Sequence, residues 1–399
     1  MNAFYLFKKH HGRTINRWPI FFALLFSGLA VSSHAQTLPD LNSTESNVLP
    51  SSIHFYHGQA YGSESQFGPL NVFFNVGFVV PGRIATTPKL GDIRYQEGWD
   101  HVSASLSDQQ ETFDRSGGFG RSLEKEFIPF AHPSGAWLPN YALHFLGEGM
   151  LSRKLEEYFR FNGMQGRYMP KLAAASTVLL AQLTNEVVEY ELPWEQRLDP
   201  LADIYFNLAG IIAFSFDGFA QWFASDEVDY YYWPGQAVID AKDGAIFNQG
   251  ENYYFRYGAQ GLKFAMMMGM PWNGGGVSIP MDDLELEHLT VMIGSDVHIP
   301  KPDYDPESSG YVRGADFQAS DVADEYLAAL QLFWDRKGSL LWSSSLSFSP
   351  EWQWSGNLYP IQIDALDIGV GGYATVSERG ANAIGVTFDF TSVVLGSRR

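Results

Sequence analysis

The segment Ser339–Phe348 constrains the fold of this chain most, because apolar and small polar residues alternate along it. Successive side chains of a β-strand point to opposite faces, so a strand here has one apolar face and one polar face. The apolar face carries Leu340, Trp342, Leu346 and Phe348, and the polar face carries Ser339, Ser343, Ser345 and Ser347. The same alternation recurs over Ile384–Phe390 and Val72–Val80. The apolar face points into the core of a water-soluble sandwich, but it points at lipid in a transmembrane barrel, whose lumen takes the polar residues.

The first residues of the chain have the pattern of a secretory signal peptide. Basic residues precede an apolar run at Ile20–Val31, and Ser33-His34-Ala35 fits a small-x-small cleavage site. The apolar run is shorter than the about 20 residues that a membrane-spanning helix needs, which favours cleavage over a retained membrane anchor. We therefore expect residues 1–35 to be a signal peptide and the remaining chain to be exported.

Composition narrows the class of protein and its partners. Aromatic residues make up 15% of the chain and 39 residues are glycine, which is typical of a barrel with aromatic girdles and a lumen lined by small groups. The chain has no cysteine, so an exported form gains no disulfide bonds. The chain has a net charge of −19 and so lacks the basic surface that phosphate binding requires. This excludes nucleic acid as a partner. Outer-membrane lipid and lipopolysaccharide are the expected partners.

Periodicity predicts N-terminal strands within residues 36–136, a helical insert at residues 137–225 and C-terminal strands at residues 226–399. The strands predicted before the insert are Ile53–Tyr61, Leu70–Val80, Ile93–Leu106 and Leu123–Phe130. The predicted helices are Trp137–Phe161, Pro170–Tyr190 and Pro200–Phe223. Alternation returns near Tyr253 and continues through Leu289–Val297, Tyr326–Trp334, Ser339–Phe348, Ile361–Val376 and Ile384–Phe390, with a hairpin turn at Asp335-Arg336-Lys337-Gly338.

The predicted fold class is therefore mainly β with a helical insert. We expect a transmembrane β-barrel of about 10–12 strands with a three-helix insert plugging the lumen. A water-soluble β-sandwich with an inserted helical domain is the alternative, because it gives similar alternation. A separate helical bundle in the inner membrane is disfavoured, since Arg153, Lys154 and Glu156 make the first helix too charged for lipid.

Polar residues on the three predicted helices form the first candidate site. They are His144 and Glu148 on the first helix, Glu186 and Glu189 on the second, and Asp203 and Asn207 on the third. Buried carboxylates near an imidazole can hold a metal or act as acid and base. The alternative, which we favour, is a hydrogen-bonded network that holds the plug together. No H-E-x-x-H spacing and no cysteine ligand is present, and no cofactor is predicted.

The second candidate site is His132-Pro133-Ser134, with Asn140 as a residue that could orient the histidine. Outer-membrane acyl hydrolases place His and Ser two residues apart on a barrel strand, where the imidazole activates the hydroxyl for attack on an ester. Against this, Pro133 removes a donor from the strand ladder. A turn proline with Ser134 near the start of a helix is the alternative that we favour.

Phe130-Ala131-His132-Pro133, followed by a small residue and an aromatic helix, is similar to a segment of an uncharacterised group of Gram-negative outer-membrane proteins. Those proteins have a helical segment that ends in a D-x-x-x-N-x-x-G motif, which Asp203, Asn207 and Gly210 match. The helices that carry this motif and Glu186 also distantly resemble those of the VanZ-like superfamily. The resemblance is confined to the middle of the chain and implies no particular activity.

The sequence thus predicts a protein of the cell outer membrane with an occluded lumen, more a structural or transport protein than an enzyme. Its expected role is in envelope integrity or in gated passage of a small solute or glycan. Aromatic clusters at Tyr230–Trp233, Tyr253-Tyr254 and Trp352-x-Trp354 could stack on a glycan, although an interfacial girdle is the favoured interpretation. The alternatives are a lipid acyl hydrolase that uses His132 and Ser134, and a metal-assisted enzyme built on the helical carboxylates.

Overall fold

The computed structural model divides the described chain into a helical region and a sheet region. It describes residues 55–79, 89–131, 136–189, 199–224, 228–258, 261–282, 286–297, 326–348, 352–363, 366–378, 382–391 and 394–398. All of these residues belong to one unit, Leu49–Arg399. The predicted signal peptide lies outside the described residues.

The described residues from 55 to 224 form helices. They are α1 (Gly62–Ser65), α2 (Pro69–Gly77), α3 (Tyr95–Ser107), α4 (Gln109–Arg115), α5 (Phe119–Glu126), α6 (Trp137–Pro139), the π-helix π1 (Asn140–Gly147), α7 (Glu148–Phe161), α8 (Met169–Glu189), α9 (Asp199–Phe214) and α10 (Asp217–Phe223). Pro69 and Pro200 lie in the first turns of their helices, where a missing N–H costs nothing. In this described part of the chain, no helix is both long and apolar enough to cross a membrane.

The described residues from 228 onward form one sheet of thirteen strands, nearly all antiparallel. They are β1 (Val228–Pro234), β2 (Val238–Asp240), β3 (Ile246–Phe247), β4 (Glu251–Tyr257), β5 (Lys263–Met270), β6 (Trp272–Pro280), β7 (Glu287–Val297), β8 (Tyr326–Arg336), β9 (Ser339–Phe348), β10 (Gln353–Ile363), β11 (Ile368–Ser377), β12 (Ala383–Phe388) and β13 (Val394–Arg398). The strand order is β1-β4-β5-β6-β7-β8-β9-β10-β11-β12-β13-β2-β3. Only the β13–β2 pair is parallel among the described pairs.

The sheet curls strongly, because strands at opposite ends of its order are joined by a short link. β1 is the first strand in the order, yet the segment Gly235–Ala237 connects it directly to β2, which pairs with β13. A link of this length spans at most about 14 Å. Side chains also reach across the enclosed interior: the Trp233 indole N–H donates to the Gly338 carbonyl at 2.9 Å, and the Tyr359 hydroxyl donates to the Pro234 carbonyl at 2.6 Å. No hydrogen-bonded pairing of β1 with β13 occurs among the described strands.

The inner face of the sheet carries small and polar residues together with a cluster of buried apolar ones, and the outer face exposes large apolar side chains. On β7, β8 and β9, Thr290, Gln331 and Ser345 point inward and are buried. The outer face exposes large apolar side chains, including Ile293 (76% exposed), Ile384 (70%), Phe264 (57%) and Val386 (53%). Aromatic and aliphatic side chains fill part of the interior; they are Trp233, Tyr254, Ala265, Met267, Trp272, Met292, Phe333, Leu340 and Tyr359.

Most strands predicted after the insert are confirmed in outline, and β9 has the predicted bounds. Two details are wrong: Ile361–Val376 spans parts of two strands, β10 and β11, and Leu340 is buried in the interior cluster and not on the outer face with Trp342, because the pairing of β8 with β9 shifts register there. The predicted turn is present between β8 and β9, where Lys337 (φ +50°) and Gly338 (φ +77°) are both left-handed. The described parts of all four strands predicted before the insert are wrong. Leu70–Val80 is mainly α2, Ile93–Leu106 is mainly α3 and Leu123–Phe130 overlaps α5, while no strand forms over the described residues 55–61.

The three helical segments predicted for the insert are present, but their expected position in the lumen is wrong for the described residues. Tyr253 and Tyr254 are consecutive on β4, so their side chains point to opposite faces. Tyr254 belongs to the interior cluster, whereas the Tyr253 ring lies against Gly147 at the end of π1. Helices π1 and α7 therefore lie on the outer face of the β1–β4 hairpin, whereas α1 contacts the start of β9, where the Leu340 N–H donates to Ser63 Oγ at 3.0 Å. Side chains of the strands themselves occupy the interior.

Candidate functional site: a buried carboxyl pair between the helices and the sheet

The helices meet the sheet where π1 passes into α7. A Cβ atom added to Gly147 would lie 2.4 Å from the Tyr253 ring, so only glycine allows this approach of the helix to β4. Glu148 follows Gly147 and begins α7, and it is completely buried. π-Helical turns are rare and are frequent at functional sites, because the widened turn shifts the side chains that follow it.

Glu148 faces a second carboxyl group, that of Glu251 at the start of β4. The Tyr253 hydroxyl lies between them, 3.1 Å from Glu148 Oε1 and 2.7 Å from Glu251 Oε1. The Gln182 side-chain amide on α8 donates to the same Glu148 oxygen. All four side chains are buried, so three elements (α7, α8 and β4) contribute to one polar cluster at the boundary of the two regions.

The Tyr253 hydroxyl has one hydrogen for two carboxyl groups, so it can donate fully to only one of them at a time. A proton on either carboxyl group would supply the hydrogen for the second contact. Burial raises the pKa of Glu148 well above its usual range, and the charge and hydrogen bond of Glu251 raise it further. Both effects favour the protonated form of Glu148.

A second polar group lies one turn earlier on π1, around His144. Its Nδ1 lies 3.2 Å from Asn207 Oδ1, and its Nε2 lies 3.4 Å from Asp203 Oδ1. Burial lowers the pKa of His144 to about 4, with the Asn207 hydrogen bond opposing part of this effect. The imidazole is therefore neutral at pH 7 and has one N–H. Asn207 Nδ2 has no hydrogen-bond partner among the described residues, so turning that amide around lets Asn207 donate to Nδ1 while Nε2–H donates to Asp203.

The D-x-x-x-N-x-x-G spacing of α9 has a structural explanation in these contacts. Asp203, Asn207 and Gly210 lie on the face of α9 that crosses π1 and α7. A Cβ atom added to Gly210 would lie 2.1 Å from the Phe145 carbonyl oxygen. Glycine thus lets the two helix backbones touch, and this close approach brings the carboxyl and the amide to His144.

The other predicted site residues are spread out. Glu189 accepts from the Asn185 side chain at 2.6 Å on its own helix, and Glu186 is buried one turn after Gln182. Asn140 donates to the Glu126 carbonyl and carboxyl oxygens, at 3.2 and 3.1 Å. His132 and Ser134 lie outside the described residues, so the predicted hydrolase pair stays a prediction.

Two buried ion pairs, and a third to the exposed Asp217, fix α7 beside the carboxyl pair. Lys154 Nζ lies 2.9 Å from Glu64 Oε1, and Arg153 lies 3.1 Å from Glu157 Oε1 and 2.8 Å from Asp217 Oδ1. Burial alone would raise the pKa of Glu64, but Lys154 and His57 outweigh it and lower the pKa to about 2. These cations are engaged by other carboxylates and do not neutralise Glu148.

Sequence reasoning placed Glu148 in the candidate site but missed Glu251 and misassigned Tyr253. Tyr230, Tyr232 and Tyr253 are buried, so they form neither an interfacial girdle nor an exposed platform for a glycan. One signal was available: β1 and β4 lack the apolar alternation of the later strands, and Glu251 falls on what would be a lipid-facing position. An acidic residue there indicates that something other than lipid covers the hairpin.

Across the described ranges, no group of three or more His, Cys, Asp or Glu side chains is arranged to hold a metal ion. Comparison with protein-family models and with curated proteins finds no match to this chain.

Proposed function

We propose that the chain is an outer-membrane protein whose strands form a lipid-embedded barrel with an occluded interior, and that it serves envelope integrity. The observation that carries this proposal is the reversed distribution of polarity in the sheet. Ile293 and Ile384 are exposed on its outer face, whereas Gln331 and Ser345 are buried inside. Monomeric water-soluble proteins rarely expose apolar patches of this extent. Lipid is the environment in which such a face is stable.

The covered hairpin divides the proposed barrel into two arcs. The strands β5 to β12 carry the apolar outer face and contact lipid, whereas the helices shield β1 and β4 from it. The short link between β1 and β2 supports closure, because it brings the two ends of the sheet together.

The filled interior supports a closed barrel over one that passes a solute or glycan. Arg256 on β4 reaches across to Asp335 on β8 at 3.1 Å, and Trp233 packs against Phe333 with ring centroids 5.7 Å apart. Contacts of this kind between side chains of opposite strands block a continuous passage through the interior of the proposed barrel. We therefore expect no single-channel conductance from the purified protein in planar bilayers.

A single substitution distinguishes a lipid-facing sheet from a water-facing one. Ile293→Arg should block assembly if Ile293 faces lipid, because a basic side chain near the bilayer midplane costs about 2–4 kcal/mol. On a water-facing sheet the same change would leave folding intact and improve solubility. Phe119→Arg is the matched control, since Phe119 is exposed on α5 in the helical region.

Assembly is measured by flotation with outer-membrane markers and by the heat-dependent shift of migration in SDS. The proposal expects Ile293→Arg to lose both properties and Phe119→Arg to keep them. A water-soluble wild type without a heat shift, or an Ile293→Arg variant that assembles normally, would reject it.

The two enzymatic alternatives remain proposals without a supporting contact. An acyl hydrolase predicts that wild type releases fatty acid from phospholipid or lipid A, and that Ser134→Ala abolishes release while the heat shift is kept. A metal-assisted enzyme predicts bound metal that is lost in Glu186→Ala and Asp203→Ala.

A further inference from the structure

The carboxyl pair at the boundary of the two regions has a role that the barrel proposal does not include. Glu148 belongs to the helices and Glu251 to the sheet, and the Tyr253 hydroxyl contacts both carboxyl groups. If both carboxyls were charged, two negative charges would face each other in a buried site with a low effective dielectric constant. Their repulsion would act directly along the contact between the helices and the sheet.

Among the described residues, the surroundings of the pair contain no cation that could take the place of the proton. The groups that face it are Tyr230 and Tyr232 from β1, Glu251 and Tyr253 from β4, and Gln182 from α8. Glu186 lies one turn further along α8, and His144 of π1 lies one turn earlier, beside Asp203 of α9. The basic residues Arg153 and Lys154 of α7 bind other carboxylates. Glu148 Oε2 and Gln182 Oε1 have no hydrogen-bond partner among the described residues. Gain or loss of one proton therefore changes the net charge of this contact without local compensation.

We propose that Glu148 and Glu251 form a proton-operated clasp that holds helices α7 and α8 on the β1–β4 hairpin. With one proton shared, the pair joins the two regions through the Tyr253 hydroxyl. Loss of that proton turns the same contact into a repulsive one and releases the helices from the outer face of the hairpin. The clasp depends only on this contact, so it stands whether or not the sheet is embedded in lipid.

The sign of the pH response follows from the raised pKa of Glu148. A carboxyl group with a raised pKa in the folded state stabilises that state at low pH, and this stabilisation is lost as the pH rises through the folded pKa. Burial raises the pKa of Glu157 on α7 to about 7, so the stabilisation that its protonated form gives is already lost above that pH. Above the pKa of Glu157 and below the ordinary pKa of tyrosine and lysine, a pH-dependent decline in stability that Glu148→Gln abolishes therefore reports on the pair.

The experiment compares wild type with Glu148→Gln and Glu251→Gln. Glutamine has the shape of a protonated carboxyl group and cannot lose its hydrogen, so both variants should fold. The infrared difference spectrum between wild type and Glu148→Gln should contain a carboxylic-acid C=O band at neutral pH. The melting temperature of the helices, followed by circular dichroism, should fall with pH in wild type over the window above. Most of this fall should be absent from both variants.

Glu156→Gln is the matched control, because Glu156 is a buried carboxylate of α7 whose ion pairs are with Arg153, Arg160 and Lys171 and not with the carboxyl pair. It should keep the pH-dependent fall. Release of the helices is checked by amide hydrogen exchange, which should speed up with pH in the peptide Glu251–Tyr257 beyond the intrinsic increase and not in the peptide Trp272–Pro280 of β6.

Three results would overturn the clasp. The first is the absence of the carboxylic-acid band, and the second is an unchanged pH-dependent fall in Glu148→Gln. The third is stabilisation of wild type, but not of Glu148→Gln, by Ca²⁺ or Mg²⁺, since a cation and not a proton would then neutralise the pair.

Discussion

The helical region and the sheet region both bury polar side chains, but they satisfy them in different ways. In the helices, buried charges form specific pairs, such as Lys154 with Glu64 and Arg153 with Glu157. In the sheet, many inward-facing polar residues are small and neutral, as Thr290 and Ser345 are, and they follow from strand alternation, although Arg256 and Asp335 form a buried ion pair there too. Loss of one such pair should therefore cost the helical region much of its stability. In the sheet the stability is spread over a repeated pattern, so the loss of one small polar side chain should cost less.

The largest expected effect comes from breaking a buried ion pair in the helical region. Lys154→Met leaves the buried Glu64 carboxylate without its cation, and removal of one partner of a buried pair costs about 3–5 kcal/mol. Chemical unfolding followed by circular dichroism measures this loss. Adding Glu64→Gln should recover part of it, because the remaining charge is then removed. If Lys154→Met costs no more than a surface substitution, the helices are not held by specific pairs.

The second prediction concerns the contact of α9 with π1. Gly210→Ala places a methyl group against the Phe145 carbonyl and forces the helices apart, at a cost of roughly 1–3 kcal/mol. The His144 contacts should weaken as well, because they depend on that approach. Gly120→Ala on α5 is the control: nothing lies within 4 Å of the added Cβ, so the variant should be neutral or slightly more stable. Equal melting temperatures for Gly210→Ala and wild type would contradict the close helix contact.

The third prediction uses the acid side of the pH range. Because burial lowers the pKa of His144 to about 4, the folded state binds fewer protons than the unfolded state between that value and the ordinary pKa of histidine. Stability contributed by the neutral imidazole is therefore complete above about pH 6.5 and is lost as the pH falls, by at most about 1.4 kcal/mol per pH unit. His144→Gln should flatten this part of the profile relative to wild type. An unchanged acid slope would show that His144 protonates freely in the folded protein.

The same contrast explains which parts of the structure the sequence predicts. The bounds of β9 are correct because alternation continues from Trp342 to the end of the strand and has no helical interpretation, although a shift of register at the start of the strand turns Leu340 inward. The strand predicted at Val72–Val80 is wrong because a short apolar run fits the period of a helix as well as that of a strand. The residues buried on α2 include Val72, Phe73 and Val76, which have helical spacing. Asn71 and Asn75 then share one face, and Asn75 Oδ1 accepts from the Gly250 N–H at 3.1 Å.

The candidate site is predictable only in part. Asp203 and Asn207 are one turn apart, so their shared face can be read from the sequence. Glu148 and Tyr253 are 105 positions apart, and no local pattern indicates that a helix covers the outer face of β4. The tertiary contact alone determines that a strand tyrosine bridges two carboxyl groups.

The smallest expected effect tests the sheet side of the comparison. The Ser345 hydroxyl on β9 is buried and has no hydrogen-bond partner among the described residues. On folding it therefore loses its hydrogen bonds to water and gains none from these residues. Ser345→Ala removes an unsatisfied polar atom and should leave stability unchanged or raise it by up to about 1 kcal/mol. Chemical unfolding of the sheet and the heat-dependent shift in SDS both measure this change. If Ser345→Ala destabilises the protein as strongly as Lys154→Met does, the interior of the sheet also depends on specific polar contacts, and the distinction between the two regions is wrong.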